Sequence, residues 1–339
     1  MDKWVVRRLF LAAVALAALA ASPALAAPGP DAEFFHGKTV TYIVCAAAGG
    51  GYDTYGRLLT RHMSKYMPGT RFIIRNVPGA GHIIGANTIY AARPDGLTIG
   101  TFVNGLIYTQ LLEQDGVRFD LSKMSWVGQM AEEGRTLTVS NSSGLETVAD
   151  LLAAREPVLL STSGIGASNH IESRIMIYAL DLNARLIPNM QQDETELAMM
   201  RREIAGVLGS ASSLAQFVNQ GRGKYLLSIA GARSAVPGVP QIADFVRRED
   251  ARPLLAMVET MSQVGRPTAG PPGIPEGRLA VLRRAFDAAV RDPELLAEAS
   301  RILIPVQPSP GEEVEANVKR LLDQPPEIVA LMRRAEADK

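Results

Sequence analysis

The stretch 39–85 constrains this chain more than any other. It opens with Val40-Thr41-Tyr42-Ile43-Val44-Cys45, an apolar and β-branched run of strand length. The run ends in Ala46-Ala47-Ala48-Gly49-Gly50-Gly51-Tyr52-Asp53. Tyr55, Leu58, Leu59, His62, Met63 and Tyr66 then recur at intervals that predict a helix. A second strand over 71–76 meets a second glycine turn, Pro78-Gly79-Ala80-Gly81, and a second helical segment. Two strands that each end in a glycine turn opening a helix present bare N–H groups and helix N-termini, where anions bind. Glycine permits positive φ and lets a ligand approach the backbone closely. Asp53 is placed to cap the helix after it, accepting from N–H groups two or three residues on. The competing reading is a pair of tight turns with no ligand.

The first residues are not expected to belong to this fold. Lys3, Arg7 and Arg8 precede an apolar run over 9–21 and the small-x-small site Ala24-Leu25-Ala26. This pattern is that of a secretory signal peptide over 1–26, cleaved after Ala26. The run is shorter than the roughly 20 residues a membrane span needs. Arg7-Arg8 leaves the choice between the general and the twin-arginine export route open. A mature chain of about 310 residues is long enough for two domains. Removing Lys3, Arg7, Arg8 and Asp2 from 35 basic and 35 acidic residues leaves a net charge near −2. No basic stripe calls for nucleic acid, which is excluded as a partner. Cys45 is the single cysteine, so an exported chain has no internal disulfide. At the end of a buried strand Cys45 reads as a small packed hydrophobe.

Strands and helices alternate as far as a third strand over 98–103, entered through Pro94-Asp95-Gly96. That alternation means βαβ units and a parallel sheet. Residues 126–130 and 136–139 read as strands with no long helix between them. A second βα series follows: a helix over 145–154, a strand over 158–162 and a third glycine turn, Ser163-Gly164-Ile165-Gly166. Helices over 171–180, 194–204 and 214–220 then alternate with strands over 184–187, 205–208 and 225–230. Val236-Pro237-Gly238-Val239-Pro240 opens a loop-rich passage, and 276–291 is a strongly amphipathic helix followed by three more. Chain crossings near 125–140 and 225–235 divide an α/β chain into two βα lobes, one over 34–138 with 234–339 and the other over 139–233. A cleft between lobes is a usual ligand site, and hinge closure its usual motion.

Other chemistries find little support. Gly79-Ala80-Gly81 through Gly85 resembles a variant dinucleotide fingerprint, but it follows the second strand, and no acidic residue ends a third strand. No nucleotide or other cofactor is expected. There is no G-x-S-x-G elbow. None of His36, His62, His82 and His170 has a metal-ligand spacing, so no metal is expected. His62 reads as a helix-surface residue. His170 begins a helix, where it could donate to a ligand or cap its own turn. Ser163 or Ser168 would be a nucleophile only beside a base the sequence does not place.

The succession of motifs resembles the extracytoplasmic receptors of tripartite tricarboxylate transporters, the Bug family. The resemblance rests on Gly49-Gly50-Gly51-Tyr52-Asp53 with Gly56-Arg57, Asn76 with Pro78-Gly79-Ala80-Gly81 and Gly85, and Pro94-Asp95-Gly96. Gly164, Gly166 and His170 match a second-lobe turn, and Pro271-Pro272-Gly273-Ile274-Pro275 a segment before a long helix. It implies a two-lobed periplasmic binding protein, type II-like, with two crossing strands and a cleft that closes on a small ligand, often a carboxylate. It also implies a membrane permease of one large and one small subunit as the partner.

The chain departs from the pattern in three places. Family members carry Pro-Phe-x-Pro where this chain has Cys45, Ala46, Ala47 and Ala48, a loss that should widen the wall. Ala167 replaces a hydroxyl residue, with Ser168 next. Arg202-Glu203-Ile204-Ala205 lacks the family's Asp.

The expected ligand site comprises Ala47, Ala48, Gly49, Gly50, Tyr52 and Asp53, then Gly79, Ala80 and Gly81, and from the other lobe Ser163, Gly164, Gly166, Ala167, Ser168 and His170. The expected function is a periplasmic receptor without catalysis, monomeric, holding a small organic anion by neutral backbone donors. A sensor feeding a membrane signalling partner shares this fold. A periplasmic hydrolase is the remaining alternative.

Overall fold

Strand β1 (Thr39–Val44) is buried over most of its length because it lies inside a sheet. In the computed structural model, which describes residues 29–132, 134–229, 231 and 236–337, it pairs in parallel with β2 (Arg71–Asn76) and with β3 (Thr98–Thr101). The signal peptide expected over 1–26 lies outside the described residues. Helix α1 (Pro30–Phe35) leads into β1, α2 (Gly51–Met63) joins β1 to β2, and α3 (Ile83–Tyr90) joins β2 to β3. Parallel neighbours require such crossovers. β2 alternates between exposed and half-buried because it forms the sheet edge.

After α4 (Leu106–Leu111) the first sheet is completed by antiparallel strands. These are β4 (Ser125–Ala131), β10 (Gly265–Gly270) and β11 (Ser309–Pro310), giving the order β11-β4-β10-β3-β1-β2. The second sheet has the order β7-β6-β8-β5-β9. Its strands are β5 (Arg135–Ser140), β6 (Val158–Ser161), β7 (Ala184–Ile187), β8 (Gly206–Ser210) and β9 (Gly223–Ile229). The chain therefore changes sheets between Ala131 and Arg135 and returns between Ile229 and Gly265. A boundary at 138/139 would fall inside β5. Among the described residues no helix separates β4 from β5; the sequence marks the switch only by Gly134 and the acidic residues before it.

The second lobe's helices are α5 (Val148–Leu152), α6 (Ser168–Leu180), α7 (Gln192–Met200) and α8 (Ala211–Asn219). α5 is shorter than its apolar pattern suggests. Thr147 and Asp150 form a capping box that starts it late. The passage after Val236 is not only loop: α9 (Arg252–Met261) begins with Pro253 in its first turn and buries Leu254, Leu255, Met257, Val258 and Met261. The remaining helices are α10 (Glu276–Ala289), α11 (Pro293–Arg301), α12 (Gly311–Leu322) and α13 (Pro326–Ala337). No helix among the described residues is long and apolar enough to cross a membrane.

One hydrophobic core runs across the junction. Ile83, Phe102 and Tyr108 from the first lobe join Leu137, Ile171 and Met176 from the second, with Met257 and Met332 between. α13 packs on α6, so the chain's last helix rests on the second lobe. Burying a large apolar side chain contributes roughly 1.5–3 kcal/mol, so this junction is a packed interface and not a loose tether. His62 is not at the surface as its helical position suggests. It is buried, with Nδ1 3.2 Å from Asp292 Oδ2 and Nε2 3.5 Å from Glu298 Oε2. α11 covers the helix face that would otherwise be wet.

Candidate functional site

In an open α/β sheet, ligands collect beyond the carboxyl ends of the parallel strands. Here the segments following β1, β2, β3, β6, β7 and β8 all contribute to one cleft between the lobes, of about 930 Å³. The first lobe supplies 46–52 and 78–82 with Val103, and the second supplies Ser163, Gly164, Ile165, Ser168, Asn169, residues 189–193 and 207–210.

The first turn is organised from behind by Asp53. Its Oδ2 accepts from the Gly49 amide at 2.9 Å and from Arg57 Nε at 2.9 Å, and its Oδ1 accepts from Asn76 Nδ2 at 3.0 Å. The expected N-cap role is therefore corrected. Asp53 reaches back to Gly49, Gly50 occupies the cap position, and no side chain caps α2. The geometry follows from Gly49 at φ +85°, which turns its N–H toward the helix. Burial works to raise the Asp53 pKa, but the bonds from Arg57, Gly49 and Asn76 together hold it below the usual carboxylate range. Gly49 thus spends its donor internally. Among the described residues, the amides of Ala47, Ala48 and Gly50 find no protein acceptor, and that of Gly51 begins the helix, which cannot satisfy it.

The second turn is more strained. Gly79, Ala80, Gly81 and His82 have φ of +123°, +46°, +60° and +80°. Successive positive φ values on non-glycine residues cost energy and persist only where the surroundings enforce them. One restraint is His82, whose Nδ1 donates to the Cys45 carbonyl at 2.8 Å. Burial lowers the His82 pKa, so the ring is neutral at pH 7 and carries its proton on Nδ1. Cys45 itself is fully buried, and burial pushes its thiol pKa far up, which makes it a packing residue. Gly81 approaches the other lobe directly: a Cβ there would lie 3.5 Å from the Ala167 amide nitrogen.

In the second lobe, Ser163, Gly164 and Ser168 line the cleft, while Gly166, Ala167 and His170 are not among its lining residues. Gly166, at φ +81°, backs onto Gln114, and Ala167 is buried at the start of α6. His170 Nδ1 shares a hydrogen bond with Thr162 Oγ1 at 3.1 Å. Burial lowers its pKa, and nearby Arg174 adds to this. The ring secures the turn and is not engaged with Ser163, whose amide donates to Asn169 Oδ1 at 3.1 Å. Asp53 likewise stands behind the wall and not in it.

Residues in and beside the cleft also include two arginines that had no marker in the sequence, of which Arg135 lines it and Arg266 does not. Arg135, the first residue of β5, spans the junction. Its Nη1 donates to Ser210 Oγ at 2.8 Å, its Nη2 to Asn104 Oδ1 at 2.9 Å, and its Nε lies 2.7 Å from Glu172 Oε2. Glu172 is fully buried. Burial raises its pKa and Arg135 opposes the rise. Arg266, at φ +54° within β10, lays its guanidinium 4.0 Å from the Tyr52 ring centre. Its Nη2 lies 3.4 Å from both Ser212 Oγ and Ser213 Oγ. Among the described residues no cluster of His, Cys, Asp and Glu could hold a metal ion.

A cleft walled by strand-end turns from two α/β lobes defines a two-lobed binding protein. Residues 56–300 match the Tripartite tricarboxylate transporter family receptor, and the chain belongs to that family. Its members are binding proteins. A UPF0065 protein of Bordetella bronchiseptica is 25% identical over 92% of this chain and 86% of its own length. An Agrobacterium vitis UPF0065 protein, from the TAR-I ttuE-ttuC' intergenic region, is 30% identical over 160 residues. That match spans 46% of each chain, so this chain covers less than half of that relative. Among solved structures, the periplasmic binding protein BugD superposes with a TM-score of 0.72 at 19% identity, covering 89% of this chain and 99% of its own. MatC from Rhodopseudomonas palustris, solved with bound malate, gives 0.69 at 20% identity, covering 88% and 99%. These structural likenesses establish the two-lobed α/β fold.

Proposed function

We propose that this chain is an extracytoplasmic solute-binding receptor that captures a small organic anion and delivers it to a tripartite tricarboxylate-type permease. The observation that carries this reading is the convergence of two first-lobe glycine turns and the second-lobe turn on one cleft. Amides at Ala47, Ala48, Gly50 and Gly51 lie at or just before the start of α2 without a protein acceptor among the described residues, where a carboxylate is favoured. Ala80 and Gly81 approach from the second turn, and Ser163, Gly164 and Ser168 close from the opposite lobe. Asp53, Gly49, Gly166, Ala167 and His170 hold these turns in shape. MatC is solved with bound malate, which favours a carboxylate here.

The same reading places the working protein in the periplasm after removal of 1–26, as a monomer with no chemical step of its own. His170 is committed to Thr162, so Ser163 has no base from that side. The lobes would hinge where the chain passes from β4 to β5 and about the packing of α9 and α13. The test is thermal unfolding against di- and tricarboxylates, aromatic acids and amino acids. A carboxylate that binds the folded state alone should raise Tm by mass action, by about 2.7 kcal/mol of stability at one hundred times its Kd. No shift across the panel at millimolar concentration would count decisively against the receptor reading.

A further inference from the structure

The charges lining the cleft are unexpected for an anion receptor. Arg135, Asp193 and Glu196 are the Arg, Lys, Asp and Glu residues of the lining. Arg135 is already committed to Glu172, Asn104 and Ser210, so its charge is offset where it stands. Arg266 is not among the lining residues. The first-lobe wall holds neutral donors, while the second-lobe wall holds two carboxylates.

Asp193 lies with Glu194 in the first turn of α7, where the helix dipole favours a carboxylate, but neither Asp193 nor Glu196 makes the capping bond. On α7, Glu194 takes the capping role, accepting from the Gln191 amide at 3.0 Å. Glu196 lies beyond the first turn, where the helix dipole contributes little. Its Oε1 accepts from Gln192 Nε2 at 3.2 Å, and the same Gln192 nitrogen donates to the Ser213 carbonyl at 2.6 Å. Gln192 therefore ties Glu196 to the start of α8 and holds it in the wall. Glu196 Oε2 and the Asp193 carboxylate take no hydrogen bond from the described residues, and both residues line the cleft, Asp193 exposed and Glu196 half-buried. A ligand that ended in a second carboxylate would meet like charge there, and the lining offers no uncommitted cation to offset it.

We propose that the ligand is amphoteric: a carboxylate gripped by the first-lobe turns and, at its far end, an ammonium-type cation received by Asp193 and Glu196. This rests on the receptor reading and narrows its ligand class away from simple dicarboxylates.

The test is calorimetric titration of the whole mature chain with two length-matched series. One is 5-aminopentanoate, pentanoate and glutarate. The other is 4-(aminomethyl)benzoate, 4-methylbenzoate and terephthalate. In at least one series the amino acid should bind about tenfold more tightly than its dicarboxylate partner, since two partly shielded charge pairs act together. The double variant Asp193→Asn, Glu196→Gln should erase that preference by weakening the amino acid and strengthening the dicarboxylate, with the unliganded Tm unchanged. Equal or tighter dicarboxylate binding, with a ratio the double variant does not move, overturns the proposal and leaves the receptor reading standing. Failure of every probe in both series overturns both.

Discussion

The two walls of the cleft are made of different material. The first-lobe wall is backbone: three alanines, glycines at 49–51, and a turn from Gly79 to His82 entirely at positive φ. The second-lobe wall is largely side chain, with Asn169, Asn189, Gln191, Asp193 and Glu196 among its residues. Backbone amides at a helix N-terminus are fixed by the fold and suit any carboxylate. Side chains can change without disturbing the strands beneath them. The difference assigns grip to one lobe and choice of ligand to the other, and substitution on each side can break that assignment.

The largest effect is expected from Gly50→Val. Gly50 has φ −79°, an ordinary value for any residue, and a Cβ there would come no nearer than 3.9 Å to the Ala47 carbonyl oxygen. The fold should accept the change with little loss of Tm. The isopropyl group would stand where a carboxylate must meet the amides, so affinity should fall by about 100-fold, about 2.7 kcal/mol. Titration of the variant with whichever carboxylate stabilises the parent chain is the measurement. Affinity within a factor of about three would move the grip away from this turn.

Asp53→Asn tests how the backbone wall is held. The charge that receives Gly49, Arg57 and Asn76 is lost, at about 1–2 kcal/mol of stability. The sign with pH follows from the depressed pKa. Asp53 contributes fully above its unfolded value of about 3.9, and the contribution fades as pH falls through the lower folded value. The stability gap between parent and variant, measured by denaturant unfolding, should be constant from neutral pH down to about 4 and shrink below it. A gap that persists unchanged in stronger acid would mean that shape and not charge holds the turn.

Much of the first wall was legible in the sequence because backbone needs leave marks. Positive φ calls for glycine, and a strand that runs into Gly49-Gly50-Gly51 before a helical repeat must turn tightly there. The direction of Asp53 was not legible, since an Asp at the third helical position suits a cap as well as a reach backward to Gly49. The second wall left less trace. Asn189 to Gln191 connect β7 to α7 in ordinary loop residues, Gln192 and Asp193 begin the helix, and their place in the cleft depends on the order of strands in the sheet. Arg135 is similar: its three partners, at 104, 172 and 210, come from three separate parts of the chain. His62 looked exposed because the helix that covers it begins more than two hundred residues later.

The smallest effect should come from Asn189→Gly, and it bears on the comparison most directly. Asn189 is exposed, lines the cleft and has φ +64°, so alanine would confuse a lost contact with backbone strain. Glycine removes the side chain and keeps the conformation accessible. If the second wall sets choice and not grip, one neutral side chain lost from a wet rim should cost roughly 0.5–1 kcal/mol, about a two- to fivefold loss of affinity. The loss should also be unequal across ligands, greatest for those with a polar group opposite the carboxylate. Titration of parent and variant against the same carboxylate series would show this as a reordering. A uniform loss approaching that of Gly50→Val would place grip in both lobes and dissolve the division of labour.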